Sequence, residues 1–301
     1  MKISVVVLNY KGAENTIKCL GSLKELNTKD VNLELIVVDN NSNDDIKDLV
    51  LKKYPGTILI ENPVNLGFTG GCNEGARYAI SNGADGVLFL NNDTVVDKDL
   101  ISELIKGLND SVGGVVPKIY FEKGYEFHKD RYKKEDLGRV VWYAGGRMDW
   151  NNLIGQNIGV DQVDEGQFDE EKDVDLATGC CFLVSSGVLK KIGLYDDKYF
   201  LYYEDADLSE RIKKAGYKLR YMPKAILWHK NAESSGGSGS DLQDYYISRN
   251  RMLFGMKYAP VKTKSALIRE GLRLLRSGRK WQKKGVKDYF LGRFGRGSYN
   301  I

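Results

Sequence analysis

The sequence is poor in several residue types and motifs, and each shortage excludes something. It has four cysteines, five prolines and two histidines in 301 residues. Cys180 and Cys181 are adjacent, and Cys19 and Cys72 sit in helix-like segments, so the cysteines form no disulfide framework. A reduced, cytoplasmic compartment is the expectation. So few prolines beside an ordinary 11% of aromatics exclude a disordered or fibrous chain. No apolar run approaches the ~20 residues a spanning helix needs, which excludes a helical transmembrane protein. Residues 1–8 are too short and too strand-like for a signal peptide. A nicotinamide-binding motif would place G-x-G-x-x-G after the first strand, where Asn9-Tyr10-Lys11-Gly12 stands instead. There is no G-x-x-x-x-G-K-[ST], which excludes a P-loop.

What is present is enough apolar material, 42% of the chain, for a core in one large domain or two moderate ones. The formal charge of +4 conceals a division. Residues 262–301 hold twelve Lys/Arg against two acids, a local +10, which leaves −6 for residues 1–261.

The first 120 residues alternate between strand and helix patterns. Strands are expected over 3–8, 33–38, 57–60, 86–90 and 114–121. Helices are expected over 13–26, 46–54, 69–81 and 97–109. This alternation predicts an α/β fold with a mostly parallel, Rossmann-like sheet flanked by helices, its ligands beyond the carboxyl ends of the strands. Residues 122–173 break the pattern, and 161–175 hold eight acids against one lysine. This stretch reads as a polar surface excursion, with a hairpin near 140–142 and 153–154. Pattern returns as a strand over 176–184, helices over 186–192 and 206–215, strands over 217–221 and 225–228, and a helix over 242–258. Residues 234–240 are Gly/Ser-rich and read as a flexible loop. The expected organisation is one domain over 1–258, its halves 1–120 and 174–258 standing on either side of the excursion. A basic amphipathic helical tail follows over 259–301.

The strand ends carry the candidate chemistry. Asp39, before Asn40-Asn41-Ser42, can accept hydrogen bonds from a base or a sugar, or cap the next helix. Asn65-Leu66-Gly67 enters a glycine-rich helix start, suited to an anion or to tight helix–sheet packing. Asn91-Asn92-Asp93 resembles a D-x-D element with asparagine in its first position, and Asp93 can ligate a hard divalent cation. Glu204-Asp205-Ala206-Asp207 puts three carboxylates at a helix start, where one can act as a general base. His229 ends an apolar run, as a metal ligand or as a structural histidine. Tyr245 and Arg249 lie on the following helix and suit phosphate oxygens, or belong to a basic solvated face.

Taken in order, these motifs resemble the family 2 glycosyltransferases of the GT-A fold, and most of all their rhamnosyltransferase-like branch. The resemblance runs from about residue 3 to residue 255. It implies an inverting, metal-dependent glycosyltransferase that moves a sugar from a dTDP- or UDP-linked donor to a hydroxyl of a glycan or lipid-linked acceptor. Under the resemblance Asp39 contacts the pyrimidine base, with Asn9, Tyr10 and Asn41 around it. Asn65, Gly67, Asn91 and Asn92 shape the nucleotide side. Asp93 and His229 hold Mg²⁺ or Mn²⁺, and Asp205 is the base with Glu204 beside it. Tyr245 and Arg249 close over the diphosphate. A nucleotidyltransferase and a non-catalytic nucleotide- or glycan-binding protein of the same fold are the alternatives. The basic tail over 262–301 reads as a peripheral contact with an anionic membrane or as a helix packed on the domain. Nucleic acid is not an expected partner, because no recognition motif accompanies the charge.

Overall fold

The computed structural model describes every residue except 30, 231–238, 300 and 301. The first half runs β1 (Lys2–Asn9), α1 (Ala13–Lys24), β2 (Asn32–Asp39), α2 (Ile46–Lys53), β3 (Ile58–Glu61), α3 (Gly67–Ser81) and β4 (Gly86–Asn91). It continues with β5 (Thr94–Val96), α4 (Leu100–Lys106) and β6 (Val112–Phe121). The excursion contains β7 (Val141–Tyr143), β8 (Gly146–Asp149), β9 (Ile154–Asn157) and β10 (Lys172–Val174). Then come β11 (Cys181–Ser185), α5 (Ser186–Ile192), α6 (Glu204–Lys214), β12 (Lys218–His229), α7 (Asp241–Tyr258), α8 (Val261–Ser277) and α9 (Lys280–Phe290).

Strands β3-β2-β1-β4 are parallel, as the alternating pattern predicts. Val5, Val6 and Val7 of β1 are fully buried, which explains their continuous apolar run. Beyond β4 the sheet becomes mixed. β11 lies antiparallel between β4 and β6, and β12 runs parallel to β6. The two strands expected over 217–221 and 225–228 are one strand. Its register against β6 shifts between Met222 and Ile226, where Pro223 cannot supply a ladder N–H. β5 was not foreseen. It pairs antiparallel with the end of β12 and sets Thr94 opposite His229.

The excursion is more ordered than a surface loop. β7 pairs with β6, β10 pairs with β12, and the hairpin joins β8 to β9 rather than 140–142 to 153–154. Its acidic run is partly neutralised from the sheet. Lys118 of β6 is 2% exposed, and its ammonium lies 2.7 Å from Asp164. Arg220 of β12 pairs with Glu171 and Asp173.

Of the expected flexible loop, residues 234–238 lie outside the described residues. Ser240 caps α7 by accepting the Gln243 N–H at 3.3 Å. The basic tail is two helices laid against α7. Asp288 of α9 is 1% exposed and accepts the Tyr245 hydroxyl at 2.5 Å and the Ser298 N–H at 3.0 Å. Gly285 lets α9 approach closely, since a β-carbon there would lie 2.3 Å from the Tyr245 carbonyl oxygen.

That approach gives a test whose sign is diagnostic. Helix propensity alone makes Gly285→Ala stabilising by about 1 kcal/mol. The clash is with backbone, which cannot swing aside, so the substitution is expected to destabilise by about 1–3 kcal/mol instead. A urea unfolding midpoint below that of the parent protein is the expected reading.

Candidate active site

A cleft of about 310 Å³ opens where β1, β4 and β12 end and α6 begins. β1 is the switch point of the sheet, with β2 on one side and β4 on the other, so the strand ends diverge there and leave a crevice. Tyr10, Asn65, Gly67, Asn91, Asn92, Asp93, Glu204, Asp205 and His229 all line it.

One wall is built by strand pairing. Because β5 runs back along β12, Asp93 comes to His229, with Nε2 3.1 Å from the carboxylate Oδ1. Both side chains are nearly buried. Burial works against the Asp93 carboxylate, but the hydrogen bond and charge of His229 outweigh it and hold Asp93 below the usual carboxylate range. Burial likewise opposes a charged His229, but Cys180 and Asp93 push it up to about 10. His229 Nδ1 is buried without a hydrogen-bond partner. Trp142, from the excursion, sets its ring edge-on to the imidazole at 4.7 Å.

Whether this pair suits a divalent cation follows from its donors. One carboxylate and one imidazole can ligate Mn²⁺, or Mg²⁺ chiefly through the carboxylate, once the ion displaces the imidazolium proton that Cys180 and Asp93 favour. Among the described residues no cluster of three or more His, Cys, Asp or Glu side chains assembles. An ion held here would complete its shell with water and with oxygens of a bound substrate.

The opposite wall is the start of α6. Asp205 Oδ2 accepts the Gly179 N–H at 3.1 Å, and Oδ1 accepts the Ala206 N–H at 2.7 Å. Burial raises Asp205 above the usual range, against those backbone donors. Burial and then the Asp205 charge push Glu204 well above it. Glu204 Oε2 is buried without a partner. Asp207 faces away. It is fully buried among Arg211 at 2.7 Å, Lys257 at 2.6 Å and the hydroxyls of Tyr199 and Tyr258. Burial opposes its charge, but Arg211 and Lys257 hold it below the carboxylate range.

The segment leading into α6 is strained. Phe200, Tyr202 and Tyr203 have φ of 65°, 70° and 71°, left-handed values that cost bulky residues about 1–3 kcal/mol each. Two side chains of α7 hold it. Asn250 Nδ2 donates to the carbonyls of Tyr199, Leu201 and Tyr202 at 2.8, 2.8 and 2.9 Å. Arg249 donates to the carbonyls of Lys198, Tyr199 and Gly295 at 3.1, 2.9 and 2.7 Å, and to Asn250 Oδ1. Gly67 supports the same segment from below. Its φ is +76°, and a β-carbon there would lie 2.5 Å from the Phe200 ring.

These contacts correct the expectation for the helix after the loop. Arg249 and Tyr245 are fully buried and line no part of the cleft. The Arg249 guanidinium is committed to carbonyl oxygens, and the Tyr245 hydroxyl to Asp288. Asn41 is exposed, with φ 60°, and does not line the cleft either. Its neighbour Asn40 does, through a buried amide that donates to Asn65 Oδ1 at 2.9 Å and the Gly67 carbonyl at 3.0 Å. Asn9 and Asp39 lie outside the cleft lining, in a network at the adjoining ends of β1 and β2. Asn9 Nδ2 donates to Ser42 Oγ at 2.8 Å and to Asp39 Oδ1 at 3.3 Å. Sequence reasoning missed Asn40, Trp142, Phe200, Leu201 and Tyr202. Four aromatics among the five residues 199–203, just before Glu204-Asp205, were the one available signal.

Residues 4–193 match the family described as Glycosyl transferase family 2. The chain is 25% identical over 255 residues to the low-salt glycan biosynthesis hexosyltransferase Agl10 of Haloferax volcanii, covering 83% of this chain and 74% of that protein. It is 24% identical over 248 residues to the N-acetylglucosaminyl-diphospho-decaprenol L-rhamnosyltransferase of Mycobacterium tuberculosis, covering 78% of each. Among solved structures it resembles the mannosyltransferase PcManGT of Pyrobaculum calidifontis in complex with GDP-Man and Mn²⁺. There the TM-score is 0.57 at 14% identity, over 99% of this chain and 76% of that one. It also resembles GalNAc-T7 with UDP, GalNAc and Mn²⁺, with a TM-score of 0.62 at 15% identity, over 98% of this chain and 58% of that one. At these identities the two structures establish the fold alone.

The clamp on residues 198–202 is open to direct test. Asn250→Ala leaves the Leu201 and Tyr202 carbonyls without that donor, at about 1–3 kcal/mol each. A stability loss of roughly 2–4 kcal/mol is expected by denaturant unfolding. In the fraction that remains folded, turnover is expected to fall more than donor affinity, because the clamp sets the entry to Asp205.

Proposed function

The chain belongs to glycosyl transferase family 2, and from that premise we propose that it is an inverting, metal-assisted enzyme of the rhamnosyltransferase-like branch. Its fold is the GT-A fold. The proposed donor is a thymidine- or uridine-diphosphate sugar, with dTDP-rhamnose the first to try. The proposed acceptor is a hydroxyl of a glycan or a lipid-linked saccharide. The M. tuberculosis relative, whose name describes rhamnosyl transfer to a lipid diphosphate saccharide, supports that choice.

One observation carries the mechanistic reading. The cleft holds two acidic stations whose environments push them in opposite directions, Asp93 downward beside His229 and Glu204-Asp205 upward. Divergent carboxylates within one site mark divided roles. Asp93, held ionised, suits a cation and the diphosphate of a donor. Asp205, raised but still offered two backbone N–H groups, suits a base. Glu204 is raised further and has an unpartnered oxygen, so of the two it keeps the proton.

In the proposed reaction Asp205 accepts the proton of the acceptor hydroxyl as that oxygen attacks the anomeric carbon. Asp39 accepts a base N–H, with Asn9 fixing its orientation and Tyr10 at the cleft wall. Asn65, Asn91 and Asn92 supply amides to the ribose and phosphate side. A Mg²⁺ or Mn²⁺ held by Asp93 and His229 would supply positive charge to the departing nucleoside diphosphate. No second nucleophilic carboxylate is needed, which agrees with one displacement and inversion.

The two acids can be told apart. Asp205→Asn is expected to lose about 10²–10⁴-fold in turnover, with donor affinity kept. Glu204→Gln imitates the protonated form and is expected to stay active. A base must be deprotonated, so activity rises with pH through a limb above the ordinary carboxylate value and is lost below it. Glu204→Gln should keep that limb in place, because Glu204 is already neutral while Asp205 titrates. Full turnover in Asp205→Asn would sink the assignment. Released nucleoside diphosphate, followed across a donor panel, is the assay.

Asp93→Ala and His229→Ala are each expected to raise the Mn²⁺ concentration required for half-maximal donor binding. Calorimetric titration of the donor with and without Mn²⁺ measures it, and donor binding that gains nothing from metal would remove both residues from the proposal.

A further inference from the structure

The helix α8 has two faces with different fates. Thr263, Leu267 and Gly271 turn inward, and Gly271 packs against Met252 of α7. The outward side carries Val261 at 80% exposure, Ile268 at 38% and Leu272 at 52%, with Leu275 partly exposed. Their spacing of seven, four and three residues stacks them in one stripe along the helix. The adjoining stripe is cationic: Lys262, Arg269, Arg273 and Arg276, all exposed. Among the described residues no acidic side chain pairs with any of these four, while Glu270 turns to Arg251 of α7. A soluble surface seldom leaves aliphatic residues in a row, and such a row marks a contact site.

We propose that this face of α8 docks on an anionic membrane surface, the aliphatic stripe entering the headgroup boundary and the cationic stripe meeting lipid phosphates. An apolar stripe edged by cations is the pattern of a helix lying in that interface. A second copy of the chain is the poorer occupant. It would bring two cationic stripes together, each in a region of local charge +10. Nucleic acid is also poorer, since it offers no apolar partner to the aliphatic stripe. No helix among the described residues is long and apolar enough to cross a membrane, so this contact is with a surface. The proposal is independent of the chemistry in the cleft, and it is read by binding alone.

Deleting residues 262–301 is the wrong test, because α9 covers Tyr245 and Arg249. Surface variants of the full chain avoid that. The expected result is co-sedimentation with phosphatidylglycerol-containing vesicles, weaker with phosphatidylcholine alone and weakened by salt. Each cation near such a surface contributes about fivefold. The triple variant Arg269→Gln, Arg273→Gln, Arg276→Gln is therefore expected to bind about a hundredfold more weakly. Ile268→Ser with Leu272→Ser is expected to lose about tenfold or more. Both variants should keep the parent thermal midpoint and turnover on a soluble acceptor. Three results would overturn the proposal: no binding of the parent protein to anionic vesicles, unchanged binding by both variants, or a parent dimer that Ile268→Ser with Leu272→Ser converts to monomer. Capture of an acidic protein without vesicle binding would overturn it too.

Discussion

The hydrogen bonds from Arg249 and Asn250 to the carbonyls of residues 198–202 are the constraint on which the site rests. Three left-handed aromatic residues within four positions, Phe200, Tyr202 and Tyr203, could not hold that path on their own account, since each is strained. Two buried side chains on one rigid helix over-determine that path and so deliver Glu204 and Asp205 to the cleft wall. Arg249 in turn depends on the C-terminal region, because one of its acceptors is the Gly295 carbonyl. The end of the chain is thereby tied to the entry of α6, although none of its described residues lines the cleft.

The two walls of the site solve different problems. Asp93 and His229 are brought together by backbone pairing of β5 with β12, so their separation is as rigid as the sheet. Asp205 is positioned by a turn, whose stiffness comes from side-chain hydrogen bonds. A charge partner holds Asp93 ionised, whereas desolvation pushes Glu204 toward its protonated form. Asp207, two residues beyond Asp205, shows how local the difference is. That step of two residues along α6 turns the carboxylate to Arg211 and Lys257, where it is a fully buried ion-pair centre outside the cleft lining.

The sequence made the parallel half of the sheet legible because period and chain order suffice there: buried β-branched runs, amphipathic helices and polar strand ends. It also pointed to Asp93, His229, Glu204 and Asp205, which the fold brings to one cleft, since an acid at a strand end or helix start leaves a local signature. It did not reveal contacts that depend on a distant partner. Nothing local in Asn250 says that it will meet residue 201, and nothing in Arg249 distinguishes a fork aimed at phosphate from one aimed at carbonyls. Burial decides between those, and burial is tertiary. The short β5 has three residues and no period to detect. Lys118 neutralises part of an acidic run 46 residues away, so the excursion reads as solvated until the sheet is built.

The charge division looks different once the helices are in place. Of the twelve cations in residues 262–301, Arg279 meets Asp244 at 2.5 Å and serves the fold. The four on the outer side of α8 pair with no acid among the described residues and are arranged beside an aliphatic stripe. Random solvation would scatter charge around a helix, and packing alone would leave its outer face polar throughout. A face that concentrates cations on one side and exposed aliphatics on the other satisfies neither requirement. Its order matches a partner that is itself layered, with anionic groups outside and hydrocarbon beneath, which is the surface proposed for it.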